Sequence, residues 1–286
     1  MPAITALGYR GRMNDQRPVG ELLRDWRQRR RLTQLDLADM AQISTRHVSF
    51  IETGRSLPSR AMLLRLADRL DVPLRERNQL MTAAGLAPIY SERGLDDPAM
   101  REAHAAVELV LYGHEPHPAL AVDRHWNLIE HNRSLVPLLA GVPEFLLARP
   151  SNVLRVGLHP EGLAPRIINL GEWRAHLLHR LRHQIATTGD PVLAALHEEL
   201  AAYPAPDDFD DSDLPASGMV AVPFRVRSEL GDLSFISTTT VFGTPMDVTL
   251  SEIAIESFFP ADAATAQAMR ILSASLEASP LSSSSH

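Results

Sequence analysis

The run TQLDLADMAQISTRHVSFIETG, residues 33–54, decides how the first third of the chain folds. Thr33 and Ser44 are small oxygen-bearing residues, each standing just ahead of a short stretch with apolar residues at helical spacing, the pattern of an N-cap opening a helix. Leu35, Leu37, Ala38 and Ala41 supply the apolar residues of the first stretch, and Val48 and Ile51 those of the second. Only a tight turn fits between them. Two short helices joined so closely must cross, which requires a small residue at the crossing, Ala38, and apolar anchors beyond it, Ile43 and Val48. Gly54 ends the second helix.

The same period extends outward on both sides. Leu22, Leu23 and Trp26 mark a helix over about 19–30, and Ser59 caps another carrying Leu63, Leu64, Ala67 and Leu70. Pro73 stands in the first turn of a fifth helix, where its missing N–H costs nothing, and that helix ends near Gly85. The reading is a five-helix domain over 18–88, preceded by a loose arm over 1–17. As a helix-turn-helix, the pair projects Thr45, Arg46 and Ser49 from the early turns of its second helix toward a major groove. Gln34 and the N-terminus of the first helix face phosphates, and Arg55 and Arg60 reach backbone oxygens.

The charge distribution agrees. The 286-residue chain has a net charge of -7, which argues against a nucleic-acid partner only as an average. Residues 1–90 hold 15 basic and 9 acidic side chains, +6, whereas the remainder carries -13. A basic module joined to an acidic body is the expected composition of a DNA-binding protein with a second domain. Every basic residue is arginine. There is no cysteine, which excludes disulfide scaffolds, cysteine zinc sites and cysteine nucleophiles. Without an apolar run of about 18 residues no membrane span or membrane partner is expected, and the first residues do not read as a signal peptide.

Thr33-Gln34, Leu37-Ala38, Ala41, Ile43-Ser44, Val48, Ile51-Glu52, Gly54 and Pro58 together resemble the Cro/C1-type helix-turn-helix of the XRE regulators. The resemblance implies phosphate contacts from Thr33 and Gln34, beside the cap residue Ser44, and base reading by Thr45, Arg46 and Phe50. An aromatic residue at Phe50 departs from the polar one frequent in that family. It either packs or touches a thymine methyl.

Beyond a linker over 89–97, the period changes. A helix over 98–113 leads into short strand candidates, PALAVD (118–123) and WNLIEHN (126–132), then a helix over about 132–140 and mostly helix over 143–203, broken at HPEGLAP (159–165). His114 and His117 beside prolines read as a turn into the first strand. YPAPDDFDDSDLPASG (203–218) reads as an exposed acidic loop rather than a cation-binding loop, since it lacks the glycine and terminal glutamate of that motif. Three strands follow. Val220, Val222, Phe224 and Val226 alternate in the first, and Leu233, Phe235, Ser237, Thr239 and Val241 share a face of the second, across a hairpin turn at 229–232. In VTLSEIAIESFF (248–259) the apolar parity shifts near Ser251, which predicts a bulge. A last helix over 262–277 precedes a disordered tail at 279–286.

Residues 98–278 resemble the ligand-binding domain of MmyB-like regulators, through PALAVDRHWNLIEHN (118–132), NVLRVGLHPEGLAPRIINLGEWR (152–174), VAVPFRVR (220–227) and STTTVFGTPMDVTLSEIAIESFFPAD (237–262). The resemblance implies an α+β chain: the five-helix Cro/C1-type domain, then a PAS-like domain with a five-stranded antiparallel sheet and helices across one face. It also implies a sensor of a small apolar ligand, a fatty acid or similar acyl compound. Trp173, Leu177, Leu181 and Ile185 form a stripe at spacing four, and with Leu154, Leu158, Phe235 and Thr239 they are candidates to line a cavity between sheet and helices. Arg155, His159 and Asn169 are candidates for a ligand head group.

His176, His179 and His183 share a helix face at metal-ligand spacing, but no carboxylate set accompanies them, so no metal is expected. There is no glycine-rich phosphate loop and no GxSxG elbow; Ser234 and Ser237 fall within a strand, and no catalytic residue or required cofactor is expected. The expectation is a ligand-modulated transcriptional regulator acting as a homodimer on double-stranded operator DNA, in the bacterial cytoplasm with the nucleoid. The alternatives are a constitutive DNA-binding protein whose second domain only dimerises, and an enzyme localised by its DNA module.

Overall fold

The computed structural model describes residues 17–94, 97–204, 222–243, 245 and 247–278. The chain divides into two compact units, Met1–Tyr90 and Ser91–His286. The arm at 1–16, most of the acidic loop and the C-terminal tail lie outside the described residues. No helix among the described residues is long and apolar enough to cross a membrane.

The first unit consists of α1 (Val19–Arg29), α2 (Gln34–Ala41), α3 (Thr45–Glu52), α4 (Arg60–Arg69) and α5 (Leu74–Ala83). Its helix starts follow local chemistry. The Thr33 hydroxyl accepts from the Asp36 N–H, and the Asp36 carboxylate accepts from the Thr33 N–H at 2.7 Å, a capping box. Ser44 and Ser59 accept from the His47 and Met62 N–H groups. Between α2 and α3, Gln42 takes a left-handed φ of 55°, and the Ile43 N–H reaches the Ala38 carbonyl at 3.0 Å, closing the turn. Leu23, Trp26, Leu37, Ala38, Ala41, Val48, Ile51, Leu63 and Leu80 are among the buried core. Two details differ from the sequence reading. Pro73 is the N-cap of α5 rather than a residue of its first turn. Leu35 is 57% exposed, because α2 buries the side carrying Leu37, Ala38 and Ala41.

Residues 89–93 are anchored within each unit. The Asn78 side chain accepts from the Ile89 and Tyr90 N–H groups and donates to the Tyr90 carbonyl. Ser91 bridges to Asp247, and the Arg93 carbonyl accepts from Thr249.

In the second unit, α6 (Arg101–Gly113) precedes β1 (Ala119–Val122) and β2 (Leu128–His131). A turn in which the His117 N–H donates to the His114 carbonyl leads into β1. A 3-10 segment (Arg133–Leu139), which contains Pro137, stands where an α-helix was expected over 132–140. Then come α7 (Glu144–Leu147), α8 (Val153–Leu158), α9 (Leu170–Thr188) and α10 (Pro191–Ala201), followed by β3 (Phe224–Ser228), β4 (Gly231–Val241), α11 (Val248–Ser251), β5 (Ala254–Pro260) and α12 (Ala263–Ala278). The described strands form one antiparallel sheet in the order β2-β1-β5-β4-β3. The parity break near Ser251 is α11, not a bulge: Asp247 caps it by accepting from the Thr249 N–H at 2.9 Å. An irregularity of pairing lies instead between Ala121 and Val122, opposite β2.

Alternation sorts the sheet into two faces. Leu120 and Val122 of β1 join the large core with residues of α8, α9, α10, β3 and β4. Ala119 and Ala121 point the other way, and with Ile253 and Ile255 they pack under Val107 and Leu111 of α6. Helices therefore cover both faces, not one.

Candidate functional site

In the first unit, α1, α2 and α3 converge on one carboxylate. The Glu52 side chain is only 1% exposed. Arg27 donates to it twice, at 2.6 and 2.9 Å, and Gln34 Nε2 donates at 2.9 Å. Arg24 adds a hydrogen bond to the Glu52 carbonyl at 3.2 Å. Burial would push this carboxyl up, but the hydrogen bonds from Arg27 and Gln34 and the charges of Arg27 and Arg24 hold it below the usual glutamate range. Gly20 permits this closeness, since a Cβ there would lie 2.3 Å from the Ile51 carbonyl oxygen. The sequence reading names Glu52 only among the residues that carry the family resemblance and gives it no structural role. Its cue was a lone acid directly after the buried Ile51.

This centre fixes the outer surface. Thr45, Ser49 and Phe50 are half-buried, and Arg46, Arg55 and Arg60 are exposed. Thr33 and Ser44 spend their hydroxyls on caps, and Gln34 holds Glu52. Arg46 and Arg55 lie over the Phe50 ring, with guanidinium carbons 5.1 and 5.8 Å from its centroid.

In the second unit a cavity of about 110 Å³ opens between the sheet and its helices. Leu120, Leu135, Leu138, Leu154, Trp173 and Phe224 are among its walls, and its polar lining side chains are Ser151, Arg180 and Glu256. Arg180 spans to the strands. It donates to Glu256 at 2.8 Å and to the Thr239 hydroxyl at 2.9 Å, and its guanidinium sits 4.9 Å from the Trp126 centroid. Trp126 donates to Gln184 at 2.9 Å. Behind this group is a polar hollow of about 510 Å³, which shares Trp126, Arg180 and Glu256 with the cavity and adds Arg124, His179, His183 and Glu252. One ion pair thus stands between an apolar space and a polar one.

Leu154, Trp173 and Leu177 line the cavity. Leu158, Leu181 and Phe235 are buried in the surrounding core and do not line it, nor does Ile185. Thr239 faces the polar hollow. The three head-group candidates are committed elsewhere. Arg155 donates to both Glu199 oxygens, at 2.8 and 2.7 Å. His159 meets Phe145 and Tyr203 edge-on and accepts from the Glu161 N–H. Asn169 ties the start of α9 to Pro223, just before β3, and to Arg225 within it. His176 stacks on Trp173, with centroids 5.5 Å apart, and burial lowers its pKa, followed by the charges of Arg180 and His179. Among the described residues no group of three potential ligands gathers to hold a metal ion.

Arg180 and Glu256 were missed, yet each has a cue. Arg180 interrupts the apolar residues Leu177, Leu178 and Leu181, and Glu256 occupies the inward parity of β5 between Ala254 and Phe258. Trp126 had no such cue, since it sits in the turn between β1 and β2 at a φ of 68°.

A family model described as the MmyB-like transcription regulator ligand binding domain matches residues 103–272, and one described as Helix-turn-helix matches residues 23–77. No curated protein sequence matches the chain.

Proposed function

The chain belongs to the MmyB-like transcription regulators, a helix-turn-helix DNA-binding module joined to a ligand-binding domain, and from that premise we propose a ligand class and a mode of control. The matched ligand-binding domain is one of transcription regulators, not of enzymes. The ligand is a fatty acid or a similar acyl compound whose tail enters the cavity of the second unit. One observation carries this reading: apart from Ser151, Arg180 and Glu256, the cavity wall is apolar side chains and one glycine. At about 110 Å³ the cavity is somewhat smaller than the roughly 150 Å³ that admits benzene in an engineered case, so a long tail must part the side chains or extend past Arg180.

Control follows from a shift of populations. The protein acts as a homodimer, whose two recognition helices fit half-sites about one helical turn apart, roughly 34–36 Å. Ligand biases the arrangement of the dimer by its differential affinity for the arrangements available, and by nothing else. The Thr33 cap takes the Asp36 N–H, and the Gln34 and Leu35 N–H groups ahead of it at the start of α2 serve as phosphate donors. No further cofactor is required, and the protein works where its operator is, in the bacterial cytoplasm.

Extraction of the purified protein with organic solvent under denaturing conditions, followed by mass spectrometry, tests the ligand. A stoichiometric acyl compound is expected, and Trp173→Ala, folded and still binding DNA, should release much less of it. A blank extract, together with no change in DNA binding on adding fatty acids, would favour a second domain that only dimerises.

A further inference from the structure

Phe50 lies one turn after Arg46 on α3, half-buried and outside the core of the first unit. Its ring has no hydrogen-bonding edge, so by itself it can distinguish only a thymine methyl. Two guanidinium groups lie over it, those of Arg46 and Arg55. Arg55 is brought near by the backbone as well as by its side chain: the N–H groups of Arg55 and Ser56 both donate to the Phe50 carbonyl, at 2.8 and 3.1 Å, which turns the chain after α3 back toward Phe50. A guanidinium held on an aromatic face keeps its N–H edge directed outward while losing rotamer freedom before it meets a ligand. Preorganisation of this kind lowers the ordering cost of binding.

We propose that Phe50 is a positioning residue for base recognition: it holds Arg46 for a guanine edge and Arg55 for a neighbouring phosphate, without reading a base itself. This rests on α3 being the base-reading helix. The arrangement leaves both positive charges on the DNA-facing surface whether or not the ring is present. Loss of the ring should therefore affect the choice of base far more than the salt dependence of binding.

The test uses the full chain and a pool of duplexes with randomised positions, the bound fraction being sequenced. Arg46→Ala identifies the base position that Arg46 reads, with a loss of roughly tenfold in preference there. Phe50→Leu is expected to lose most of the same preference at the same position, with the salt slope of binding unchanged. Phe50→Tyr, which keeps the ring, should retain it, and Phe50→Leu with Arg46→Ala should lose no more than Arg46→Ala alone. Wild-type preference at that position in Phe50→Leu overturns the proposal, as does a loss confined to a different position, which would make Phe50 a direct reader. Should Phe50→Leu lose all preferences together through misfolding, the decision passes to the wild-type protein: ring-current shifts of the Arg46 and Arg55 side-chain protons are expected, and their absence overturns it. A wild-type chain that enriches no sequence would instead sink the base-reading role of α3.

Discussion

Glu52 and Glu256 are both buried carboxylates paired with arginine, and the two units hold them differently. Glu52 receives Arg27 bidentately and Gln34 as well, with α1 pressed close enough that Gly20 has no room for a side chain. Glu256 likewise receives Arg180 on both oxygens, at 2.8 and 3.3 Å, and Thr239 as well, but its side chain also borders two spaces, an apolar cavity and a polar hollow. The first carboxylate fastens three helices into one rigid surface. The second has alternatives within reach, because a ligand head group or water entering either space can compete for Arg180. A module that reads DNA gains from the first arrangement, since base contacts require fixed side chains, and a sensor gains from the second.

The largest expected effect tests whether that contrast is real. Arg27→Ala removes both of its hydrogen bonds to buried Glu52 and leaves only Arg24 at 3.6 Å and Gln34 to compensate the charge, which should cost about 3 kcal/mol. Arg180→Ala leaves Glu256 beside spaces that admit water, and should cost only about 1–2 kcal/mol. Amide hydrogen exchange, followed separately over residues 19–83 and 119–260, reads each unit on its own. Equal costs would mean that Glu256 is a lock like Glu52.

Acid tests the second unit next. Burial alone would raise the Asp190 carboxyl, but hydrogen bonds from Arg124, His125 and the Val192 N–H, with the charge of Arg124, lower it to about 2. An unfolded aspartate titrates near 3.9. Because the folded value is the lower, the stabilisation is fully present above about 4 and is lost as pH falls toward 2, an amount of about 2–3 kcal/mol. Exchange over the second unit should accelerate across that window, and Asp190→Asn should reduce the acid-dependent part, leaving the share of Glu199, which the hydrogen bonds from Arg155 also hold below the usual range. An unchanged profile in Asp190→Asn would assign the acid sensitivity to another group.

The smallest effect gives the sharpest contrast, because one chemical change has opposite signs. Gly20→Ala drives a Cβ to 2.3 Å from a backbone oxygen, which the neighbouring chain must move to relieve, and should destabilise by about 1–3 kcal/mol. Gly157→Ala, on α8 at the cavity wall, places its Cβ in open space and should stabilise by up to about 1 kcal/mol through helix propensity. Thermal melting of the two variants decides it. Destabilisation by Gly157→Ala would mean that the cavity is tighter than its walls indicate.

The first unit was legible almost residue by residue. Thr33, Ser44 and Ser59 cap the helices that the spacing predicts, since a cap acts over three residues and leaves its mark locally. Its buried charge was less legible, because the Arg27–Glu52 pair links residues 25 apart on different helices. In the second unit β3 and β4 followed from alternation, and β1 and β2 from short apolar runs where the helical period stops. The turn of helix at α11 did not, because Asp247 capping Thr249 breaks the strand parity in the way a bulge would.

The cavity divides the candidates for the same reason. The stripe on α9 identified Trp173 and Leu177, but spacing cannot tell a wall from the core behind it, and Leu181 belongs to the core. Arg155, His159 and Asn169 were polar residues near the right helix, and tertiary partners claimed each of them.

By itself the sequence determined the two-part organisation, the capped helices of the DNA module, the basic charge that accompanies them and the strand alternation of the second unit. These depend on interactions a few residues long or on totals over a segment. Only the tertiary structure decided that Glu52 fastens α1 to α3, that Phe50 carries two arginines, and that Arg180 and Glu256 stand between two spaces. Those arrangements depend on which distant side chains come within a few ångströms, a distance that neither periodicity nor composition encodes.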